Sequence, residues 1–134
     1  MKYLYTFIGD DSDRPSTPEE MKEGIQRWSA FDREAVDAGV LIACEPLEPN
    51  SAVTIRVAGD GQHEDPTDGP FAESKEQLGG FALLDVKDQD EALAWAEKIP
   101  LRPGASMEVW PILDLSEFGY ESATVSPAKA KATA

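Results

Sequence analysis

Residues 17–44, TPEEMKEGIQRWSAFDREAVDAGVLIAC, carry the strongest fold signal in the chain, a helix that leads directly into an apolar strand. Thr17, with a glutamate three residues later, forms a capping box, and Pro18 takes the first helical position, where no N–H is needed. Apolar residues then recur at helical spacing at Met21, Ile25, Trp28, Phe31 and Ala35. Gly39 favours the end of the helix, and Val40–Cys44 is the apolar run of a buried strand.

Strands flank this unit, and a second unit of the same kind follows it. Tyr3–Ile8 is aromatic and β-branched, as strands are, and Phe81–Val86 reads the same way. Asp88 then caps a second helix, which Pro100 ends, and Met107–Leu113 is the last strand. Two strand–helix–strand units predict an α+β, ferredoxin-like fold, in which both helices lie on one face of an antiparallel sheet.

A hairpin is predicted between the two units. Residues 52–57 alternate between apolar and polar side chains, and Gly59-Asp60-Gly61 is a turn signal. We therefore expect Val53–Val57 to pair with Gln62–Asp65. The hairpin adds to the main sheet pattern without changing it.

The uncovered face of the sheet predicts a homodimer. Tyr3–Ile8 and Phe81–Val86 are apolar on both of their alternating sets of side chains, although the helices cover only one face. An exposed apolar face of several hundred Å² is unusual in a monomer. We expect two copies to pack sheet on sheet.

Composition and charge exclude several classes of partner. The 134 residues fit one domain, and 41% hydrophobic residues suffice for a packed core. With 12 basic and 26 acidic side chains, the net charge of −14 argues against direct binding of nucleic acid or of an anionic membrane. An anionic ligand would need Lys75, or an arginine such as Arg27 or Arg56, to overcome this field.

Other absences predict a cytoplasmic protein. No apolar run approaches the roughly 20 residues of a membrane span, and the N-terminus lacks the pattern of a signal peptide. Cys44 is the single cysteine, so no internal disulfide forms, and its apolar strand predicts an inert core thiol.

The domain is predicted to span residues 1–113, and residues 114–134 form a C-terminal extension. Within the extension, Leu115–Tyr120 favours a short helical turn that docks on the domain. The small residues of 126–134 predict a disordered end.

The segment 68–81, DGPFAESKEQLGGF, resembles the signature of the YCII-related family, in particular its DGPF type. The opening MKY, the segment 90–96, DEALAWA, and 108–111, EVWP, match the same pattern, so the resemblance covers about residues 1–113. It implies a ferredoxin-like fold that dimerises through its sheets, in the manner of dimeric α/β barrels.

The resemblance implies less about activity. Some YCII-like proteins are thought to act on small molecules through a His–Asp pair whose histidine lies in the first helix. Trp28 stands at about that place here, and residues 21–38 contain no histidine, so the pair is not carried over. Other DGPF-type members are associated with sigma factors and transcription.

The loop that contains the signature holds the candidate site. Asp68 is a turn-capping residue or an acid/base at a pocket, and the sequence leaves both interpretations open. His63 is the only histidine and has acidic neighbours, so it is a second catalytic candidate or a solvated loop residue. Glu73 and Lys75 belong to an exposed charged run or form a pair that holds a ligand, and the sequence leaves both open. Phe71 is expected to anchor the turn and to lie beside the ligand.

No metal site and no cofactor are predicted. His63, Asp65 and Asp68 could supply one nitrogen ligand and oxygen ligands to a metal ion, but their spacing matches no zinc or calcium loop. Two hypotheses remain. In the first, the protein binds or transforms a small molecule, without a cofactor, at a pocket beside the DGPF loop and the dimer interface. In the second, it is a non-enzymatic regulatory or interaction module, associated with sigma-factor or transcription-related systems.

Overall fold

Strand, helix and strand follow one another twice along the chain, with a small hairpin in between. The computed structural model describes residues 1–10, 17–69, 76–125 and 127. Its elements are β1 (Lys2–Asp10), α1 (Pro18–Asp37), β2 (Leu41–Pro46), β3 (Val53–Thr54), β4 (Thr67–Asp68), β5 (Glu76–Asp85), α2 (Gln89–Ala96) and β6 (Ser106–Pro111). Four strands form one sheet in the order β2–β5–β1–β6, and every neighbouring pair is antiparallel. The predicted α+β class, with an antiparallel sheet and two helices, is confirmed.

Side-chain caps start both helices where the sequence predicts. The Glu20 N–H donates to Thr17 Oγ1 at 3.1 Å, and the Glu91 N–H donates to Asp88 Oδ1 at 2.9 Å. Each bond satisfies one of the N–H groups that a helix N-terminus leaves without an intrahelical partner. In α1, Gly39 follows the last turn with φ +75°, a conformation that glycine adopts without strain.

The helices differ from the predictions in two respects. The apolar stripe of α1 is buried only in its C-terminal half, and Met21 and Ile25 remain exposed. α2 ends at Ala96, four residues before Pro100, because its last turn tightens: the Ile99 N–H donates to Ala96 O. None of the helices among the described residues is long and apolar enough to cross a membrane.

Both helices pack on the same face of the sheet. The Phe31 ring of α1 meets the Trp95 ring of α2 edge to face, with centroids 6.2 Å apart. The buried core is formed by Tyr3, Tyr5, Phe7, Phe31, Ala35, Val40, Ala82, Leu84, Val86, Ala92, Trp95 and Ile99. The Tyr5 hydroxyl donates to Ala92 O at 2.8 Å, which joins β1 to α2 inside this core. Burial raises the pKa of Tyr5 to about 12, so the hydroxyl keeps its proton.

The opposite face of the sheet, here called the outer face, has two cross-strand rows of side chains. Successive side chains of a strand point to alternate faces of the sheet, so the residues between the buried ones face away from the helices. The rows are Ala43, Leu83, Leu4 and Trp110, and then Glu45, Phe81, Thr6 and Glu108. The central strands β5 and β1 contribute mainly apolar residues, whereas each edge strand contributes one glutamate.

The segment after β6 differs from the prediction. A short 3-10 turn forms at Ser116–Phe118, as expected for Leu115–Tyr120, but it does not dock, because Phe118 is 77% exposed. The predicted boundary at residue 113 stays a prediction. The predicted disorder of residues 126–134 falls, apart from residue 127, outside the described residues.

Candidate functional site

The predicted hairpin forms, but its pairing differs from the prediction in part. Val53 and Thr54 pair with Asp68 and Thr67, and Val57 bridges to His63 near the turn. The returning strand β4 thus lies beyond the predicted Gln62–Asp65, which contributes only the His63 bridge. The last residue before the signature proline, Gly69, has φ +96°, which other residues rarely adopt.

His63 and Asp68 lie at opposite ends of this hairpin. His63 is paired beside the turn, whereas Asp68 is paired at the base, and both are exposed. Five residues of extended chain span up to roughly 17 Å. The two candidate catalytic groups are therefore not brought together in a pair, and the role of each stays a prediction.

The Asp68 carboxylate is unengaged in the described structure. Within residues 1–10, 17–69, 76–125 and 127 it receives no hydrogen bond and forms no ion pair. The other candidates, Phe71, Glu73 and Lys75, lie outside the described residues.

A cavity of about 250 Å³ lies between the β2–β3 connection and the start of β5. It is lined by Leu47, Glu48, Asn50, Ser51, Ala52, Gln77 and Leu78. An amide pair closes one side, because Gln77 Nε2 donates to Asn50 Oδ1 at 2.6 Å and the Asn50 N–H donates to Gln77 Oε1 at 3.2 Å. The wall therefore combines apolar surface with fixed polar groups, as small-molecule sites do.

The cavity adjoins the signature segment. The Gly69 N–H donates to the carbonyl oxygen of Ala52, a lining residue, at 2.7 Å. Asp68 precedes Gly69 and pairs with Val53, so its backbone lies one residue away from the cavity wall along each strand. Sequence reasoning missed the lining residues, because Asn50 and Gln77 are 27 positions apart and form no motif.

The cavity also adjoins the outer face. Pairing shifts between Phe7 and Ile8, so that Ile8 lies opposite Leu78 and Gly79 is the extra residue of a bulge. Leu78 therefore shares the outer face with Ile8, and it is 50% exposed. One wall of the cavity is continuous with the uncovered face of the sheet.

A second polar pair, Cys44 and Asp32, lies between β2 and α1. Burial raises the pKa of the Cys44 thiol to about 12, and the charge and hydrogen bond of Asp32 add to the shift. The thiol is thus a weak nucleophile near neutral pH, as the predicted inert core cysteine requires. Asp32 is one helical turn after Trp28, on the predicted apolar side of α1. A carboxylate at such a position was the sequence signal that could have indicated this polar pair.

Cys44 is expected to react slowly with Ellman's reagent in the folded protein at pH 8, at least about tenfold more slowly than in denaturant. Asp32→Asn removes the negative charge, so it is expected to lower the thiol pKa and to speed the reaction. The measurement is the pH–rate profile of both proteins. A profile with an ordinary midpoint near 8.5 in the wild type would contradict the assignment.

The same shift makes stability depend on alkaline pH. The folded pKa of Cys44 is raised from 9.0 to about 12, so the folded state holds its proton where the unfolded state loses it. The contribution of the protonated thiol to the free energy of unfolding is complete below pH 9, and it is lost as the pH rises toward 12. Urea titrations between these limits are expected to show a shallower loss of stability for Cys44→Ala than for the wild type.

Metal chemistry receives no support from the described residues, where no group of three or more His, Cys, Asp or Glu side chains is arranged to hold an ion. His63, Asp65 and Asp68 are distributed along the exposed returning arm of the hairpin.

These features define a small α+β domain that has a four-stranded antiparallel sheet and a hairpin-linked cavity. The YCII-related domain model matches residues 1–116, so the chain belongs to the YCII-related family. An uncharacterized protein of Rhizobium meliloti (strain 1021) is 37% identical over 100 residues, which cover 74% of this chain and 80% of the relative. The family resemblance drawn from residues 68–81 is confirmed, and neither comparison indicates an activity.

Proposed function

We propose that the protein is a homodimer that binds a small, partly apolar molecule in the cavity between Asn50 and Gln77, with Asp68 as the acid/base or anchoring group. The observation that carries the proposal is the continuity of this cavity with both the Asp68–Gly69 segment and the outer face. The proposal has three parts, which are the fold type, the dimer and the ligand site.

Strand order supports a ferredoxin-like fold of the dimeric α/β barrel type. Without the β3–β4 hairpin, the order β2–β5–β1–β6 has each helix crossing over one intervening antiparallel strand. Both crossovers lie on one face, as the Phe31–Trp95 contact requires. This arrangement leaves the outer face available for a second copy.

The distribution of side chains on the outer face supports the dimer. Leu4, Leu83 and Phe81 lie at its centre, on β1 and β5, and are only partly covered. Glu45 and Glu108 lie on the two edge strands. An apolar centre with a charged rim is the pattern of a protein–protein interface.

The chemistry of the cavity supports a ligand that has both polar and apolar parts. The Asn50–Gln77 amide pair is fixed by two hydrogen bonds and presents amide dipoles, while Leu47 and Leu78 present apolar surface. Glu48 supplies a carboxylate in the lining itself, and Asp68 supplies a second one in the adjoining segment. Neither has a side-chain partner among the described residues, so each is available to hold a donor or to accept a proton. We therefore expect phenols and carbonyl compounds as the ligand class.

The test is a binding screen of small phenols, carbonyl compounds and carboxylates, by thermal shift and then by calorimetry. Ala52→Phe is expected to abolish binding, since the ring fills the cavity. Val57→Phe adds the same ring near the turn of the same hairpin, at an exposed side chain, and is expected to leave binding unchanged. Asp68→Asn is expected to weaken binding about tenfold, through loss of a charge-assisted hydrogen bond.

Two results would overturn the ligand proposal. Equal binding by Ala52→Phe and the wild type would place the ligand elsewhere. Failure of every compound to bind, with Asp68→Asn unchanged in stability, would favour the interaction-module hypothesis, in which the acidic surface meets a basic partner.

A further inference from the structure

We propose a second, separate site, an anion-binding cleft between α1 and the loop after α2, in which Arg27 and Arg102 hold the carboxylate or phosphate group of a small organic anion. The cleft has a volume of about 210 Å³ and is lined by Arg27, Pro100, Leu101, Arg102 and Pro103. It shares no lining residue with the cavity beside Asp68.

Rigid elements hold both arginines. Arg27 lies inside the long helix α1. Arg102 lies between two prolines, and its carbonyl oxygen accepts the Ala105 N–H at 3.1 Å. The loop is anchored in the core by Ile99, which is 6% exposed, and the Leu101 N–H donates to its carbonyl oxygen at 2.9 Å. Both guanidinium groups therefore start from fixed backbone positions, and only the two side chains lose conformational freedom when a ligand binds.

Neither arginine is neutralised by the described part of the chain. Arg27 and Arg102 form no ion pair and no side-chain hydrogen bond there. Glu23, one turn before Arg27 on α1, is not paired with it either. The two guanidinium groups therefore keep their charge in a protein with 26 acidic and 12 basic side chains.

A nearby carboxylate is already occupied. Glu34 is seven residues after Arg27 and so lies on the same side of α1. Its Oε1 accepts from Lys98 Nζ at 2.6 Å, and that ammonium group also lies 5.6 Å from the centre of the Trp95 ring. The acidic group two turns along this side of α1 is thus committed to Lys98, and Glu34 does not compete with an external anion for Arg27.

The geometry and chemistry indicate the class of ligand. A guanidinium group has a planar set of N–H donors that matches two oxygens of a carboxylate or phosphate. The rings of Pro100 and Pro103 and the side chain of Leu101 supply an apolar wall for a short carbon skeleton. The volume is below the usual range for drug-sized ligands, so the anion is small.

The test is calorimetric titration of the full-length protein with inorganic phosphate and with benzoate, at low ionic strength. Arg27→Gln and Arg102→Gln are each expected to weaken binding at least about tenfold. Arg33→Gln, on the exposed surface of the same helix, removes the same charge and is expected to change affinity less than about threefold. Circular dichroism checks that the variants fold.

The two probes distinguish the sources of the anion. Binding of phosphate alone supports a phosphorylated ligand, and binding of benzoate alone supports a carboxylate. Absence of both at about 10 mM, or an equal loss in Arg33→Gln, would overturn the proposal, since a diffuse charge effect does not distinguish one arginine from another. Ala52→Phe is expected to leave this binding intact, so failure here is separable from failure of the proposed function.

Discussion

Under the dimer proposal, Trp110→Glu is expected to leave the protein monomeric at micromolar concentration. Trp110 is 54% exposed in the single copy and lies in the same outer-face row as Leu4 and Leu83. Loss of a tryptophan that acts as an interface hot spot costs about 2 kcal/mol or more. In a two-fold symmetric dimer the change occurs twice, so dissociation is favoured by at least about 4 kcal/mol, or roughly a thousandfold.

The measurement is light scattering coupled to size exclusion. Ile25→Glu is the matched control, because Ile25 is 59% exposed, on α1 instead of the sheet. It is expected to stay dimeric. Dissociation by Ile25→Glu and not by Trp110→Glu would move the interface to α1. A monomeric wild type would end the dimer proposal.

Gly80→Ala is expected to destabilise the fold by about 1–3 kcal/mol, the usual cost of forcing an extra methyl group into a packed site. A Cβ at Gly80 would lie 2.9 Å from the backbone oxygen of Glu45 and 3.4 Å from Pro46 Cα. Both atoms belong to the β2 backbone, which pairs with β5 at this point and cannot move without breaking the pairing. The Phe7 ring, at 3.3 Å, closes the remaining side.

Gly79→Ala supplies the control for this prediction. Its added Cβ would lie 3.7 Å from Phe7 O, an ordinary contact, so the expected change is below about 1 kcal/mol. Urea denaturation of both variants checks the difference. If both alanine substitutions lower the free energy of unfolding equally, the close approach of β2 is not the reason for glycine at position 80.

Local signals predicted much of the fold. The caps at Thr17 and Asp88 involve residues three positions apart, so the sequence shows them directly. The hairpin likewise depends on a turn between neighbouring strands. The end of α2 was predicted too late, because the tightening at Ala96 reflects how Ile99 enters the core and not a breaking residue.

The candidate site could be predicted only in part. Asp68 stands out in the sequence, but the cavity beside it depends on Asn50 meeting Gln77 across 27 residues. His63 is close to Asp68 in sequence, whereas hairpin pairing holds it near the other end. The bulge at Gly79 decides that Leu78 lies on the outer face, and strand register of this kind is set by pairing between distant segments.

The three tryptophans report on different events. The Trp28 ring lies 5.2 Å from Phe7 and the Trp95 ring lies 6.2 Å from Phe31, so both are within or beside the core. Trp110 faces away from the helices. A protein with Trp28 and Trp95 replaced by phenylalanine would fluoresce from the sheet surface alone. Under the dimer proposal its emission would shift with dilution, and a protein with only Trp110 replaced would report unfolding through Trp28 and Trp95, so that association and folding can be followed as two independent optical signals.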